Sequence, residues 1–341
     1  MSSLGPVMCG LSGQVLSRAD RTRIRSRKVG GVVLFARNYE SAEQLRELVR
    51  EIRSLRRAPL LLAVDHEGGR VQRFQAPFTR LPAAACLGER FDADPLAGWE
   101  LARAVGMVQG IELARVGIDV VFAPVVDLAG ENSATIGARA IHSSPETVAL
   151  LAGAQIRALR AQGVVPVAKH FPGHGGVDGD THRTAVGDAR SFSEIWARDL
   201  VPYRTLIGEG LEAVMSTHVR FPSVSAEPAT YSEFWLKHVL RDRLGFAGAS
   251  FSDDLVMSAA SEAGSVGARV QAALCAGCDA ALVCNALEEL DDWLALATKA
   301  DAGASGKLAQ LARRRLPGHS KRAGRSRALD AARSVIARLG D

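Results

Sequence analysis

Eight short apolar segments recur along this 341-residue chain, and each one stops at or beside a polar residue. Within a segment the apolar residues run together and do not alternate with polar ones. This pattern is typical of strands that are buried on both faces of a parallel sheet. The segments are 5–11, 31–36, 60–65, 119–127, 164–170, 213–218, 249–253 and 280–285.

Helical patterns lie between these segments. Residues 41–57 place five aliphatic side chains on one helical face, and residues 145–163 begin after Ser144, a good N-cap. The remaining patterns are 96–117, 193–210, 231–245, 261–277 and 287–299. Strands that alternate with helices predict an α/β fold, a single-domain (β/α)8 TIM barrel. A doubly wound sheet is the second choice, because no glycine-rich phosphate loop follows the first strand.

The composition excludes several classes of protein. Hydrophobic residues make up 47% and charged residues 23%, close to globular averages, which excludes disorder, collagen and coiled coil. No run of eighteen apolar residues predicts a membrane span, and no secretory signal is evident at the N-terminus. The five cysteines are odd in number and scattered, which favours reduced thiols. We therefore expect a cytoplasmic enzyme.

The net charge of +5 is concentrated at the C-terminus. Residues 301–341 hold ten Lys and Arg against three acids, whereas the first 300 residues hold 32 basic and 34 acidic ones. We expect a catalytic barrel over 1–300 and a basic tail, helical in part, over 301–341. Such a tail can bind nucleic acid. The absence of interleaved aromatic residues favours a solvated terminal helix instead, so no nucleic-acid partner is expected.

A barrel presents its active site at the C-terminal ends of its strands. Seven polar side chains stand at the predicted strand ends, and together they would line a pocket with both signs of charge. Such a pocket suits a substrate rich in hydroxyl groups. The seven are Asp65, Asp127, Lys169, His170, His218, Asp253 and Asn285.

The densest segment is 169–182, with three histidines, two aspartates and four glycines after a predicted strand. One interpretation is a metal site, since His and Asp are good zinc ligands. The other is acid–base chemistry, because Asp180 is placed to orient the imidazole of His182. Pro172 and the glycines prevent a helix that could align the histidines. We therefore favour acid–base chemistry and expect no metal.

Two other segments carry candidate residues. In 248–255 successive strand side chains point to opposite faces, so one aspartate of the pair enters the pocket. Asp253 is our choice, and Asp254 is expected to cap or to form an ion pair nearby. In 65–73 the Gly68–Gly69 turn allows Asp65 and Arg73 to converge on a ligand. We interpret Cys275 and Cys278 as core cysteines rather than as a redox pair or half of a zinc site.

These motifs resemble those of a known family. Residues 169–175 read KHFPGHG and 180–182 read DTH, which is similar to the signature loop of the glycoside hydrolase family 3 β-N-acetylglucosaminidases. Segments 65–73 and 251–255 match the same group in the same order. The resemblance covers roughly residues 5 to 290. It is closest to the bacterial single-domain cytoplasmic branch that recycles cell-wall fragments.

The resemblance implies a role for each matching residue. Asp253 is implied to be the nucleophile of a retaining hydrolysis, and His182 the general acid and base, assisted by Asp180. No cofactor is implied, the substrate is a carbohydrate, and a monomer without membrane contact is expected. The residues implied to surround the N-acetylglucosamine ring are Asp65, Arg73, Arg139, Lys169 and His170.

The chain departs from the family pattern at a few positions. Ala140 follows Arg139 where serine is usual, and His66 stands where glutamine is common. Ser216 and Thr217 precede His218 where proline and alanine are usual. These departures concern substrate contacts. Three alternatives remain open: substrate-assisted hydrolysis, phosphorolysis, and a non-catalytic sensor of sugar or nucleic acid that uses the basic tail.

Overall fold

A parallel β-sheet forms the centre of the protein. The computed structural model describes residues 4–130, 135–177, 186–296, 306–313 and 322–340. The sheet has nine strands in the order β7-β6-β3-β2-β1-β13-β12-β9-β8, and β4–β5 and β10–β11 form two antiparallel hairpins. The strands are β1 Val7–Cys9, β2 Val29–Leu34, β3 Leu61–Val64, β4 His66–Gly68, β5 Val71–Gln72, β6 Val120–Val121, β7 Val165–Pro166, β8 Ala168–Phe171, β9 Ala213–Ser216, β10 Arg220–Phe221, β11 Ser225–Pro228, β12 Ala249–Asp254 and β13 Ala280–Val283.

The two ends of this sheet meet, so the sheet is a barrel. β7 pairs with β6 and β8 pairs with β9, yet Val167 alone separates β7 from β8 along the chain. β7 and β8 are therefore two parts of one strand of the barrel. The barrel then has eight strands in chain order, each overlapping one of the predicted apolar segments, and the predicted (β/α)8 barrel is confirmed. β1 is short and its register with β2 shifts between Val7 and Met8.

Two apolar layers flank the barrel wall. Met8 and Phe251 face the interior with their neighbours, and the rings of Phe122 and Phe251 meet there with centroids 5.9 Å apart. Val7 and Cys9, one position either side of Met8, belong to the outer layer beneath the helices. Both layers are apolar because strand side chains alternate between two buried faces, which explains the unalternating sequence runs.

Helices cover the outside of the wall. The helix bounds are α1 Arg18–Arg25, α2 Ala42–Ser54, α3 Ala84–Ala93, α4 Pro95–Val116, α5 Pro145–Ala161, α6 Phe192–Ala197, α7 Leu200–Gly208, α8 Val266–Ala276, α9 Leu287–Leu296, α10 Gly306–Arg313 and α11 Arg322–Leu339. A π-helical segment spans Phe234–Arg243. Ser144 caps α5 by accepting the Thr147 N–H, and Gly117 ends α4 with a left-handed φ of 86°.

The single helix predicted over 193–210 is wrong. The structure divides it into α6 and α7 at Arg198 and Asp199. Asp199 is buried, and its carboxylate accepts two hydrogen bonds from Arg190. The ion pair is a tertiary contact, which helical periodicity does not reveal.

The described parts of the basic tail pack against the barrel. α10 places Leu308, Ala309 and Leu311 into the interior apolar layer at the N-terminal end of the strands. α11 packs along α4. Lys307, Arg333 and Arg338 each form an ion pair with an acidic residue of the barrel. Over the described ranges, no helix combines the length and the apolar character needed to cross a membrane.

Candidate active site

A polar cavity of about 200 Å³ opens at the C-terminal end of the barrel. It contains six of the eight predicted site residues. The other two, Asp180 and His182, lie outside the described residues. The cavity is lined by Asp65, Glu67, Arg70, Val71, Arg73, Thr135, Arg139, Lys169, His170, His174 and Asp253.

The two aspartates that end β12 have different surroundings. Asp253 lines the cavity. The Asp254 carboxylate instead accepts the backbone N–H groups of Val256 and Cys284 at 3.2 and 3.1 Å. Burial raises the pKa of Asp254 to about 6. The pleat of the strand separates the two side chains, so Asp253 is the carboxylate that a ligand in the cavity would meet.

Lys169 stands at the centre of the charged wall. It lies on β8, is 2% exposed, and its Nζ is 2.7 Å from Asp65 Oδ1 and 2.6 Å from Glu67 Oε1. Burial alone would lower the pKa of Lys169, but the charges of Asp65 and Glu67 raise it above its ordinary value. A buried ammonium is tolerated here because two carboxylates compensate its lost hydration.

Arg139 extends this wall to the other side of Glu67. Its Nε and Nη2 donate to both oxygens of Glu67 at 2.8 and 2.7 Å. Burial would raise the pKa of Glu67, but the charges of Lys169 and Arg139 lower it well below the ordinary range. Arg139 Nη2 is also 3.5 Å from His170 Nε2. Glu67 is therefore an ionised carboxylate held between two cations.

Asp127 lies behind the cavity and orients the histidine segment. Its Oδ1 accepts the N–H groups of His170 and His174, and its Oδ2 is 2.7 Å from His170 Nδ1. A carboxylate can only accept, so Nδ1 of His170 carries the hydrogen and Nε2 points toward Arg139. Burial lowers the pKa of His174, which favours the neutral form of its imidazole.

Three of the seven polar residues predicted at the strand ends do not line the cavity. Asp127 supports His170 and His174 from behind. His218 Nε2 lies 3.0 Å from the Asp254 carbonyl oxygen, and Asn285 Nδ2 donates to Asp254 Oδ2 at 3.4 Å. His218 and Asn285 therefore pack around Asp254. Cys278 is buried as expected, but Cys275 is exposed, so the core interpretation is wrong for Cys275.

Glu67 is the main lining residue that the sequence patterns did not identify. Side chains two positions apart share a face in extended chain, so Asp65 predicts Glu67 on the same side. His66 between them faces the other way and packs on Phe74 and Phe78. Arg70, Val71, Thr135 and His174 also line the cavity, and all of them except Thr135 lie in the candidate segments 65–73 and 169–182.

The cavity wall contains His, Asp and Glu side chains, which are of the types that bind metals. Within the described ranges, no group of three or more His, Cys, Asp or Glu residues is arranged to hold a metal ion. The carboxylates of Asp65 and Glu67 face Lys169, and that of Asp127 faces His170. The described residues of the wall are therefore paired with one another and form no metal cluster.

Comparison with known proteins identifies the family. The model of the glycosyl hydrolase family 3 N-terminal domain matches residues 10–314. The chain is 50% identical to a beta-hexosaminidase of Chromobacterium violaceum over 291 residues, which is 85% of this chain and 82% of that protein. A beta-hexosaminidase of Nitrosomonas eutropha is 47% identical over 291 residues, covering 85% and 84% of the two chains.

Solved structures agree with this assignment. NagZ from Neisseria gonorrhoeae in complex with N-trifluoroacetyl-D-glucosamine superposes with a TM-score of 0.91 at 40% identity, over 99% of each chain. A glycoside hydrolase family 3 β-N-acetylglucosaminidase from a Paenibacillus strain gives 0.81 at 32% identity, over 97% of this chain and 61% of that one. The chain thus belongs to glycosyl hydrolase family 3 and is a glycoside hydrolase.

Proposed function

We propose that the protein is a retaining exo-β-N-acetylglucosaminidase. It removes terminal N-acetylglucosamine from muropeptide fragments, of the GlcNAc-1,6-anhydroMurNAc type, during peptidoglycan recycling. The observation that carries this proposal is that Asp253 lines the same small polar cavity as Asp65, Lys169 and His170. The beta-hexosaminidase relatives and the sugar complex of the Neisseria enzyme support the same substrate class.

The charged wall supplies the groups that would bind the sugar. Carboxylates accept hydrogen bonds from hydroxyl groups, and Lys169, Arg73 and Arg139 donate to sugar oxygens. Glu67 stays ionised because Lys169 and Arg139 flank it. The wall is thus charged before substrate arrives, so little rearrangement is needed on binding. The Nη2 of Arg73 is 3.6 Å from Asp65 Oδ2, and Arg73 would contact the sugar from the edge of the cavity.

The reaction then takes two displacements. Asp253 attacks the anomeric carbon, the bond to the leaving oxygen breaks, and His182 gives that oxygen a proton. Water next attacks the same carbon, His182 takes the proton, and Asp253 leaves. Retaining glycosidases usually pair two carboxylates, and here histidine replaces one of them. An imidazole suits this role because its ordinary pKa lies close to neutrality.

His174 is another histidine that could protonate the leaving group. It lines the cavity, but burial lowers its pKa, so at a given pH a smaller fraction of it is protonated than of an imidazole with the ordinary pKa. Its backbone N–H is already bound to Asp127. These features favour a supporting role for His174, and we assign the acid–base role to His182, oriented by Asp180, because the family resemblance implies it.

One experiment tests the proposal and separates its rivals. The expected result is release of N-acetylglucosamine from N-acetylglucosaminyl-1,6-anhydro-N-acetylmuramic acid, with chitobiose as the comparison substrate. A slow fluorosugar should label Asp253, and its failure to do so would favour substrate-assisted hydrolysis. Release of sugar 1-phosphate in phosphate buffer would show phosphorolysis. A protein that turns over no N-acetylglucosaminide would favour the alternative of a non-catalytic sensor.

The remaining parts of the proposal concern the setting of the enzyme. We propose a cytoplasmic monomer that needs no cofactor and has no nucleic-acid or membrane partner. The odd, scattered cysteines support a reducing compartment. The ion pairs of Lys307, Arg333 and Arg338 with the barrel support a structural use of the basic tail. Sedimentation and salt-dependent DNA binding would test the oligomeric state and the tail.

A further inference from the structure

The hairpin that carries part of the cavity wall rests on a second segment of chain. We name residues 65–73 the wall hairpin; it contains β4 and β5, and Glu67, Arg70 and Arg73 from it line the cavity. The Gly69 N–H donates to the Leu81 carbonyl oxygen at 3.1 Å. A Cβ placed on Gly68 would lie 2.4 Å from the Pro82 carbonyl oxygen. The turn of the hairpin therefore sits directly on residues 79–83, which we name the support segment.

Gln72 joins the wall hairpin to the support segment a second time. It is buried beside Arg73, and its Nε2 donates to the Thr79 carbonyl oxygen at 2.9 Å. Its Oε1 accepts the Leu81 N–H at 3.0 Å. Both ends of one side-chain amide are thus used to align the two segments. A shift of Thr79 would move Gln72, and with it the neighbouring Arg73.

The support segment is held in turn by α4 and α11. Glu112 of α4 accepts the Thr79 N–H at 3.0 Å and the Thr79 hydroxyl at 2.6 Å. Arg333 of α11 donates to the same Glu112 at 2.7 Å and to the Thr79 hydroxyl oxygen at 2.8 Å. In the described part of the chain, Arg333 is the one cation paired with the buried Glu112.

We infer that α11 is a positioning element of the active site: Arg333, acting through Glu112 and Thr79, fixes the wall hairpin against the cavity. Residues 79–83 lie between α11 and Gly69, and all three border one groove. The role of the hairpin in holding the sugar rests on the proposed function. The link from Arg333 to the hairpin backbone stands on hydrogen bonds alone.

The physical reason lies in what a buried carboxylate requires. Glu112 is 6% exposed, and charge-assisted hydrogen bonds are needed to compensate its lost hydration. Without Arg333, the Glu112 carboxylate would keep, among the described residues, only its two hydrogen bonds from Thr79, and water would enter between α11 and the support segment. The support segment would then loosen, and the wall hairpin would lose its alignment. A misplacement near one ångström would weaken the contacts that the wall hairpin makes with a bound sugar.

Two substitutions test this on the full-length enzyme. Arg333→Ala removes the cation, and Thr79→Val removes the hydroxyl while keeping the side-chain shape. Arg327→Ala on the exposed face of the same helix and Thr79→Ser, which retains the hydroxyl, are the matched controls. If Arg333→Ala does not fold, Arg333→Lys, which keeps the charge, takes its place in both measurements.

The first measurement is hydrogen exchange without any sugar. We expect Arg333→Ala and Thr79→Val to raise the exchange rates of amides 66–82 at least tenfold. A change of this size is expected because each variant loses about one charge-assisted hydrogen bond. Amides of β9 and β12 should keep their wild-type rates, as should all amides of the two controls. Uniformly faster exchange over the whole barrel, or no change at 66–82, would overturn the inference. This result does not depend on what the substrate is.

The second measurement is kinetic, at a temperature where every variant is folded. We expect Arg333→Ala and Thr79→Val to raise the KM for an aryl N-acetylglucosaminide and the Kd of N-acetylglucosamine about tenfold, with kcat within about threefold, because binding contacts are lost uniformly. A lower melting temperature with unchanged KM and Kd would show that α11 only stabilises the fold. A wild-type enzyme that neither binds nor cleaves these sugars would instead reject the proposed function.

Discussion

Arg139 and Glu67 form a two-point ion pair across the cavity wall, 72 positions apart in sequence, with N–O distances of 2.8 and 2.7 Å. Lys169 contacts the same carboxylate from the other side. Glu67 therefore neutralises part of the charge of the buried Lys169 and of the partly buried Arg139. Its removal would leave both of them in a medium that solvates charge poorly.

Glu67→Gln should lower the free energy of unfolding at pH 7 by about 3 kcal/mol, because an uncompensated buried charge remains. The pKa of Glu67 is held well below its ordinary value of 4.5. A lowered acid pKa stabilises the fold above the unfolded value, and this stabilisation is lost as the pH falls below about 4.5. Urea unfolding at several pH values should show a steeper acid loss in the wild type than in Glu67→Gln. Parallel curves would contradict the ion-pair argument.

Asp253→Ala should reduce turnover by roughly a thousandfold or more with the fold intact, since it removes the proposed nucleophile. Asp254→Asn is the matched control, because its side chain accepts backbone N–H groups outside the cavity wall. It should cost much less. Initial rates on an aryl N-acetylglucosaminide, with circular dichroism as the folding check, measure both. Equal losses would reject the assignment of the pair.

Chelation should leave activity unchanged. The proposed reaction uses a carboxylate nucleophile and a histidine, and neither step requires a metal-bound water. Prolonged dialysis against a strong chelator, followed by assay with and without added zinc, measures this. Loss on chelation with recovery on zinc addition would reverse the choice between acid–base chemistry and a metal site in segment 169–182.

His182→Ala should act selectively according to the leaving group. Acid assistance matters for the basic oxygen of a disaccharide and little for a good phenol leaving group. The variant should therefore cleave the disaccharide far more slowly, yet show a burst of phenol from an activated aryl glycoside. Azide should accelerate turnover and give a β-glycosyl azide, and Asp180→Ala should behave in the same way but more mildly. Equal damage to both substrates without azide rescue would move the acid–base role to His174.

Leu308→Ala should destabilise the barrel by about 3 kcal/mol without affecting the active site, since it leaves a cavity in a close-packed interior. Leu308 on α10 is fully buried in the interior apolar layer, at the opposite end from the cavity. Gln310→Ala on the exposed side of α10 is the control. Thermal unfolding should separate the two variants, whereas KM should match the wild type in both. A raised KM in Leu308→Ala would show coupling between the two ends.

Part of the active site could be predicted from sequence because its residues follow the strands that carry them. Asp65, Lys169 and Asp253 each stand at a strand end, and parallel strands bring their ends together. Glu67 could have been added by the two-residue repeat of extended chain. His218 and Asn285 also follow strands but turn toward Asp254. Position along a strand is local information, whereas the direction of a side chain beyond the strand depends on its neighbours.

The sequence by itself determined the eight-stranded barrel. A strand that is buried on both faces requires a continuous apolar run, and such runs are visible directly in the sequence. It also determined the family, since several motifs recur in order over most of the chain. Only the tertiary structure decided which charges meet. The pairing of Arg139 with Glu67 and that of Arg333 with Glu112, 221 positions apart, join segments that no periodicity relates. Ion pairs act over a few ångströms in space, and only the folded chain brings such distant residues to that distance.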